Sequence, residues 1–283
     1  MRHIYTSTVC LANTEPVLER IKRYQAYGIN AIELGGGVSV DSESLEKLPS
    51  LGLNLLLHNY FPPAKDSFYL NLSSPDKIIY QRSIDYILEN IQRSGDWGAK
   101  LYSFHAGFIT DPVGANEKGL IFSTPPATHT ETEAAIERFA QSLIPIIQKA
   151  ILHNVTVAIE NNVCRSEHRG RLILQTAEEF LDLFQRVSDP KLGVLIDTGH
   201  VDITAQTFNF EAKQFIETLR PFIKAFHISQ NDGHTDLALP LDASNPVLQI
   251  LKTFDVPIVN EAHFEHIDSL ATHFHWLKQE LEG

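Results

Sequence analysis

Along the chain, short apolar runs of four to six residues alternate with longer stretches of helical period, and the alternation occurs eight times. The runs predict strands at Ile4–Val9, Ala31–Leu34, Leu53–His58, Lys100–His105, Thr156–Glu160, Gly193–Asp197, Ile223–Ile228 and Pro257–Glu261. Helices are predicted between them, most clearly at Pro75–Ser94, Glu131–His153, Ala177–Val187, Glu211–Leu219, Pro246–Thr253 and His266–Leu281. Ser74-Pro75-Asp76 reads as an N-cap serine with proline at the first helical position, and Thr130-Glu131-Thr132-Glu133 has the spacing of a capping box. Eight strand–helix alternations predict the α/β class and a closed parallel (β/α)8 TIM barrel. An open doubly wound sheet normally carries a Gly-rich turn after its first strand, whereas Gly35-Gly36-Gly37 follows the second strand here and marks a tight bend. The connection Gly107–His129, with Pro112, Pro125 and Pro126, is long enough for a lid or binding loop.

Composition narrows this picture. A chain of 283 residues buries roughly 75% of its unfolded surface, enough for a core without staples. No linker or low-complexity segment interrupts the pattern, so one domain over residues 1–283 is expected. With 23 basic and 35 acidic residues the net charge is −12, which disfavours a nucleic-acid partner, although bound metal ions would offset part of it. Cys10 and Cys164 make no disulfide framework and fit a reducing compartment. The segment Met1–Thr6 lacks the apolar run of a signal peptide, and no stretch approaches the roughly 18 apolar residues of a membrane span. A cytoplasmic protein without a membrane partner is expected; a homo-oligomer is left open.

The ends of the runs carry the chemistry. The third ends in His58, the fourth in His105, the fifth in Glu160 and the sixth in Asp197 with His200 just after. The seventh contributes His227 and the eighth Glu261. A barrel gathers these ends at one mouth, where active sites of the fold sit. Taken singly, each has an ordinary alternative: a strand-end His is often a rim residue, and Asp197 could simply cap the next helix. Several carboxylates in one pocket, however, repel one another and need a cation. Mixed Glu, Asp and His ligands suit Mn2+ or Zn2+ better than Ca2+, with Co2+ or Mg2+ also admissible. Glu33, within Ala31–Leu34, could face the same pocket.

These motifs resemble the xylose isomerase-like barrel superfamily, which includes endonuclease IV and many sugar isomerases and epimerases. Ala31-Ile32-Glu33-Leu34, His58 followed by Ser73-Ser74-Pro75-Asp76, Phe104-His105-Ala106-Gly107, Ile159-Glu160-Asn161 and Asp197-Thr198-Gly199-His200 match it in order. The isomerase and epimerase branch implies one metal on Glu160, Asp197, His227 and Glu261. The endonuclease branch implies a second ion on His58 and His105 with Glu160 as bridge, and a third on His200 with an Asp-x-His pair. That pair is incomplete here: Asp236 aligns with its aspartate, but Ala238 stands in place of its histidine, and His234 lies four residues earlier. Some epimerases of the superfamily hold substrate with an arginine after strand 7; Ser229–Asp242 contains none. Arg165 and Arg169, with Arg171 nearby, could supply an anion-binding cation or form a solvated basic loop.

The first expectation is therefore a metal-dependent isomerase or epimerase of a sugar, sugar phosphate or related polyol, working through an enediolate. Glu160 and Glu261 would exchange the proton, and the substrate would be a small carbohydrate-like molecule. The alternative is an endonuclease IV-like zinc-dependent phosphodiester hydrolase, against which Ala238 and the net charge of −12 count. A non-enzymatic binding protein is the third reading.

Overall fold

The computed structural model describes residues 3–12, 14–116 and 119–282. Met1 and Arg2 of the N-terminal segment, and Glu117 and Lys118 of the long loop, lie outside the described residues. Eight parallel strands close into a barrel: β1 (Ile4–Ser7), β2 (Ala31–Leu34), β3 (Asn54–His58), β4 (Leu101–His105), β5 (Thr156–Glu160), β6 (Leu192–Asp197), β7 (Ile223–Ile228) and β8 (Ile258–Asn260). Each pairs with its neighbours in sequence, and β8 closes the ring on β1. This is the (β/α)8 architecture expected from the alternation.

The two-residue period of a strand explains the layering. Tyr5, Leu56, Leu101, Ala158, Leu195, Ala225 and Val259, with Ala31 beside them, form one apolar cluster to which all eight strands contribute. That layer fills the barrel interior. Two residues further along the same face come Glu33, His58, Ser103, Glu160, Asp197, His227 and Glu261, and His105 follows two after Ser103. Alternate positions such as Ile32, Leu57, Phe104, Ile159 and Phe226 belong to the larger core between barrel and helices. A polar layer thus sits directly above an apolar plug.

The helices are α1 (Val17–Ala26), α2 (Ser42–Lys47), α3 (Lys77–Asp96), α4 (His129–His153), α5 (Ala177–Arg186), α6 (Thr198–Phe208), α7 (Ala212–Leu219), α8 (Val247–Leu251) and α9 (Ile267–Glu282). Two predicted starts are corrected. Asp76, not Ser74, caps α3, accepting from the Ile78 and Ile79 amides. The Ser74 hydroxyl is already committed, donating to the Asp111 carboxylate at 2.6 Å. The capping box of α4 is Thr128 with Glu131, two residues before the expected one, while Glu133 pairs with Arg186 at 3.0 Å. The first run ends at Ser7 because Thr8–Cys10 winds into a 3-10 turn. The long loop between β4 and α4 holds a short antiparallel hairpin, Gly114–Asn116 with Gly119–Ile121. Among the described residues, no helix is long and apolar enough to cross a membrane.

Candidate metal centre

At the C-terminal mouth, side chains from β2 to β8 meet around Glu160. Its Oε2 lies 3.4 Å from His58 Nε2 and 3.4 Å from His105 Nδ1. Its Oε1 lies 3.2 Å from His200 Nδ1 and 3.8 Å from His227 Nδ1. Two groups can be drawn whose ligand atoms lie within 4.8 Å of one another: His58, His105 and Glu160, and Glu160, Asp197, His227 and Glu261. Glu160 belongs to both. A third such group, Glu33, His58 and His227, overlaps them.

The surrounding residues fix which nitrogen each ring presents. His58 Nδ1 is bound to the Ser103 hydroxyl at 2.9 Å, leaving Nε2 toward Glu160. His227 Nε2 is bound to Glu33 Oε2 at 3.0 Å, leaving Nδ1 toward Glu261 at 2.9 Å. Holding the outer nitrogen to orient the inner one is the usual arrangement around a metal-bound imidazole. Asn161 accepts from the Asp197 amide at 2.8 Å, and its carbonyl lies 3.1 Å from His200 Nδ1. Asn59 accepts from the His105 amide at 2.8 Å. Asp197 also caps α6, accepting from the His200 amide at 2.8 Å, so the ordinary alternative for Asp197 holds alongside its place in the cluster. Gly199 allows this first turn to press against Ser229 and Asn231, where a Cβ would clash.

Such a cluster fits a cation. Buried Glu33 Oε1, Glu160 Oε2 and His227 Nδ1 have no hydrogen-bond partner, although His227 Nδ1 stands close to Glu261. Buried polar atoms left without a partner are rare, and a cation would satisfy the carboxylate oxygens among them. Charge without a cation is poorly balanced. Burial pushes the Asp197 carboxyl up to about 7, with Glu160 and Glu261 adding to the rise and His200 opposing it. Burial pushes the His58 ring down to about 3. Against burial, Glu261, Glu33 and Glu160 hold His227 well above its ordinary value. Burial would raise Glu160 too, but His105, His227 and His200 hold it well below the usual carboxylate range. A divalent ion would take the place of the protons that now hold these carboxylates together.

The surroundings of His200 are built differently. His200 Nε2 lies 3.5 Å from Asp236 Oδ2. Ala238 offers no ligand, and its backbone is taken up by the Asn231 side chain and the His263 amide. Its φ of 45° lies in the left-handed region, uncommon for a residue other than glycine. His234 is exposed, and its amide donates to Asp232, so among the described contacts it does not restore the absent histidine.

A cavity of about 600 Å3 opens beside the cluster, reached by His105, His200 and Asp236. Arg165 lines it, 3.3 Å from Glu167. Arg169 is corrected: its guanidinium reaches the Thr207 carbonyl and sits 4.9 Å from the Phe208 ring, away from the lining. Arg171 turns to the Thr124 carbonyl and Phe122. The sequence reading missed Ser103, Asn59 and Asn161. Ser103 was within reach, since it stands two residues before His105 on the same strand face. The other two occupy loops, where no period marks them.

Comparison with known proteins bears on the fold and the family. The family model described as xylose isomerase-like TIM barrel matches residues 21–271. The chain belongs to this family. "Probable endonuclease 4" of Mycoplasma mobile is 26% identical over 175 residues, covering 60% of the chain and 52% of that protein. "Apurinic-apyrimidinic endonuclease 1" of Plasmodium falciparum is 24% identical over 211 residues, covering 71% of the chain and 31% of that protein. The chain therefore spans about half or less of these two relatives' length. Among solved structures, a "D-tagatose 3-epimerase-like protein" superposes with a TM-score of 0.74 at 16% identity, over 99% of this chain and 97% of that one. At that identity the likeness speaks for the fold.

Proposed function

We propose that the chain is a two-cation hydrolase of a small phosphate ester, with Glu160 bridging the ions. The observation that carries this reading is the position of the Glu160 carboxylate: Oε2 faces His58 and His105 at 3.4 Å each, while Oε1 faces the side of His200 and His227. A carboxylate whose two oxygens face two different ligand sets is placed to bridge two ions. Divalent ions there would polarise a phosphoryl oxygen and lower the pKa of a water to near neutrality. The chain's own part is to hold the two ligand sets rigid on strand ends, to orient His58 through Ser103 and His227 through Glu33, and to keep the polar layer dry from below. His200 and Asp236 border the cavity and are placed to contact the substrate.

The isomerase or epimerase reading keeps one observation in its favour. Glu160, Asp197, His227 and Glu261 form a complete four-ligand set by themselves, and the Glu261 side chain, 18% exposed, reaches toward the mouth. The deciding experiment is metal analysis of purified protein together with turnover of 4-nitrophenyl phosphate, bis(4-nitrophenyl) phosphate and a ketohexose. About two ions per chain with ester cleavage is expected. One ion per chain, with ketose epimerisation and no ester cleavage, would overturn it.

A further inference from the structure

A second cavity, of about 500 Å3, lies among α6, α7 and α8, the helices that follow β6 and β7. It shares no lining residue with the cavity at the mouth. Its size falls within the roughly 300–1,000 Å3 usual for small-molecule sites. The walls are mostly aliphatic, with Val201 from α6, Ile216 from α7, and Val247 and Ile250 from α8. Thr198 and Ser229 line it next to the ends of β6 and β7, the Thr198 hydroxyl donating to the Ser229 carbonyl at 2.9 Å. Among these walls stands Asp202, one turn after Thr198 on α6 and half-buried. Its carboxylate oxygens stay open to water, with no hydrogen bond or ion pair to any described residue. Burial alone pushes this carboxyl up to about 6, because no neighbouring positive charge or donor offsets it. Lys213 shares the lining but is exposed and makes no ion pair with Asp202, while Glu217 is held by Arg220 at 2.7 Å. An unpaired carboxylate in a mostly apolar cavity is costly to ionise, and a cation seated beside it removes that cost.

We propose that this cavity is a second ligand site, taking a small organic cation with an aliphatic body whose ammonium group pairs with Asp202. The aliphatic walls select the body, and the single unpaired carboxylate selects the charge. The site rests on the cavity and Asp202, and stands or falls independently of the hydrolase reading.

The probes are cyclohexylmethylamine, its neutral isostere cyclohexylmethanol, and cyclohexanecarboxylate, which carries the opposite charge. Each is titrated into zinc-loaded protein labelled at its isoleucine methyl groups and followed by NMR. The amine should shift Ile216 and Ile250 and bind about tenfold tighter than the alcohol, the worth of one hydrogen bond to a charged group. The carboxylate should shift neither at the same concentrations. Asp202→Asn keeps the side chain's volume and removes its charge. It should bring the amine to within about threefold of the alcohol, and leave the alcohol within about threefold of its affinity for the parent. Asp202→Glu keeps the charge and should retain most of the preference. The proposal is overturned if the amine moves neither isoleucine, if the parent binds amine and alcohol alike, if Asp202→Asn keeps the preference, or if Asp202→Glu loses as much as Asp202→Asn. An amine drawn instead to the acidic metal centre would leave Ile216 and Ile250 unmoved and ignore Asp202→Asn, which overturns the proposal as well.

Discussion

His58 and His227 each have one outer partner, and that dependence can be tested one ion at a time. Ser103 holds His58 at 2.9 Å, and among the described hydrogen bonds none joins it to the Asp197–Glu261 set. Glu33 holds His227 at 3.0 Å on the opposite side. Removal of such a partner typically costs about 10–100-fold in metal affinity. Ser103→Ala should therefore weaken one ion by that factor and leave the other within about threefold, whereas Glu33→Gln should weaken the second. Competitive titration with a chromophoric chelator distinguishes the two sites. Equal weakening of both ions by Ser103→Ala, or no effect on either, would show that the two sets are not separate. The same residues show where the sequence was readable. Glu160, Asp197, His227 and Glu261 could be named because they close apolar runs. Glu33 could be suspected on its strand. The partners that aim the rings required knowing that strand faces alternate through the barrel, and the loop residue Asn161 required the fold itself.

Elements differ in how openly they declare themselves. Helix α1 buries Val17, Ile21 and Tyr24, a single stripe, yet its short span and charged residues kept it out of the clearest predictions. In α6 the buried Val201, Ile203 and Ala205 fall on no single stripe, because the helix is covered on more than one side. The cap of α3 moved to Asp76 because a distant residue, Asp111, took the Ser74 hydroxyl. Helix α9 carries a testable feature of a different kind. His273 stacks near Phe264 and Trp276, with ring centroids at 5.4 and 5.1 Å, and its Nε2 is buried without a partner. Burial pushes its pKa down to about 4. The unfolded chain takes up this proton near the ordinary value of about 6.5, while the folded chain resists until about pH 4, so the stability contribution is intact above 6.5 and is lost as pH falls between those values. By pH 5 the loss is about 1–2 kcal/mol after allowance for partial exposure. His273→Phe should flatten that part of the stability profile, measured by urea unfolding at pH 5 and pH 8. An unchanged slope between those pH values would mean the ring is protonated in the folded state.

At the scale of the whole molecule, the closed barrel was legible because eight apolar runs of similar length leave little other architecture, and the mouth was legible because polar residues cluster at their ends. What the period could not show is how Asp236 meets His200, which depends on the irregular loop after β7. There Asn231 ties Leu237, Ala238 and Asp236 into one turn, so Asp236 reaches His200 but no histidine follows it. This loop and the overall charge bear on the relatives named as endonucleases. Duplex binding uses several Lys or Arg contacts to phosphates, and non-specific affinities of roughly 1–100 µM at physiological salt depend on them. The chain carries a net charge of −12, which two divalent ions would leave strongly negative. Arg165 is beside Glu167, Arg169 and Arg171 are turned to backbone carbonyls, and the loop after β7 carries Asp232 and Asp236, the latter 3.5 Å from His200. The protein should therefore bind an abasic 20-base-pair duplex more weakly than about 100 µM at 150 mM salt, and should not nick it with added Zn2+ or Mn2+. Fluorescence anisotropy and a gel nicking assay check both halves. Binding in the micromolar range, or nicking that Glu261→Gln abolishes, would mean that the substrate is the duplex and that the cavity beside the cluster serves a flipped-out nucleotide.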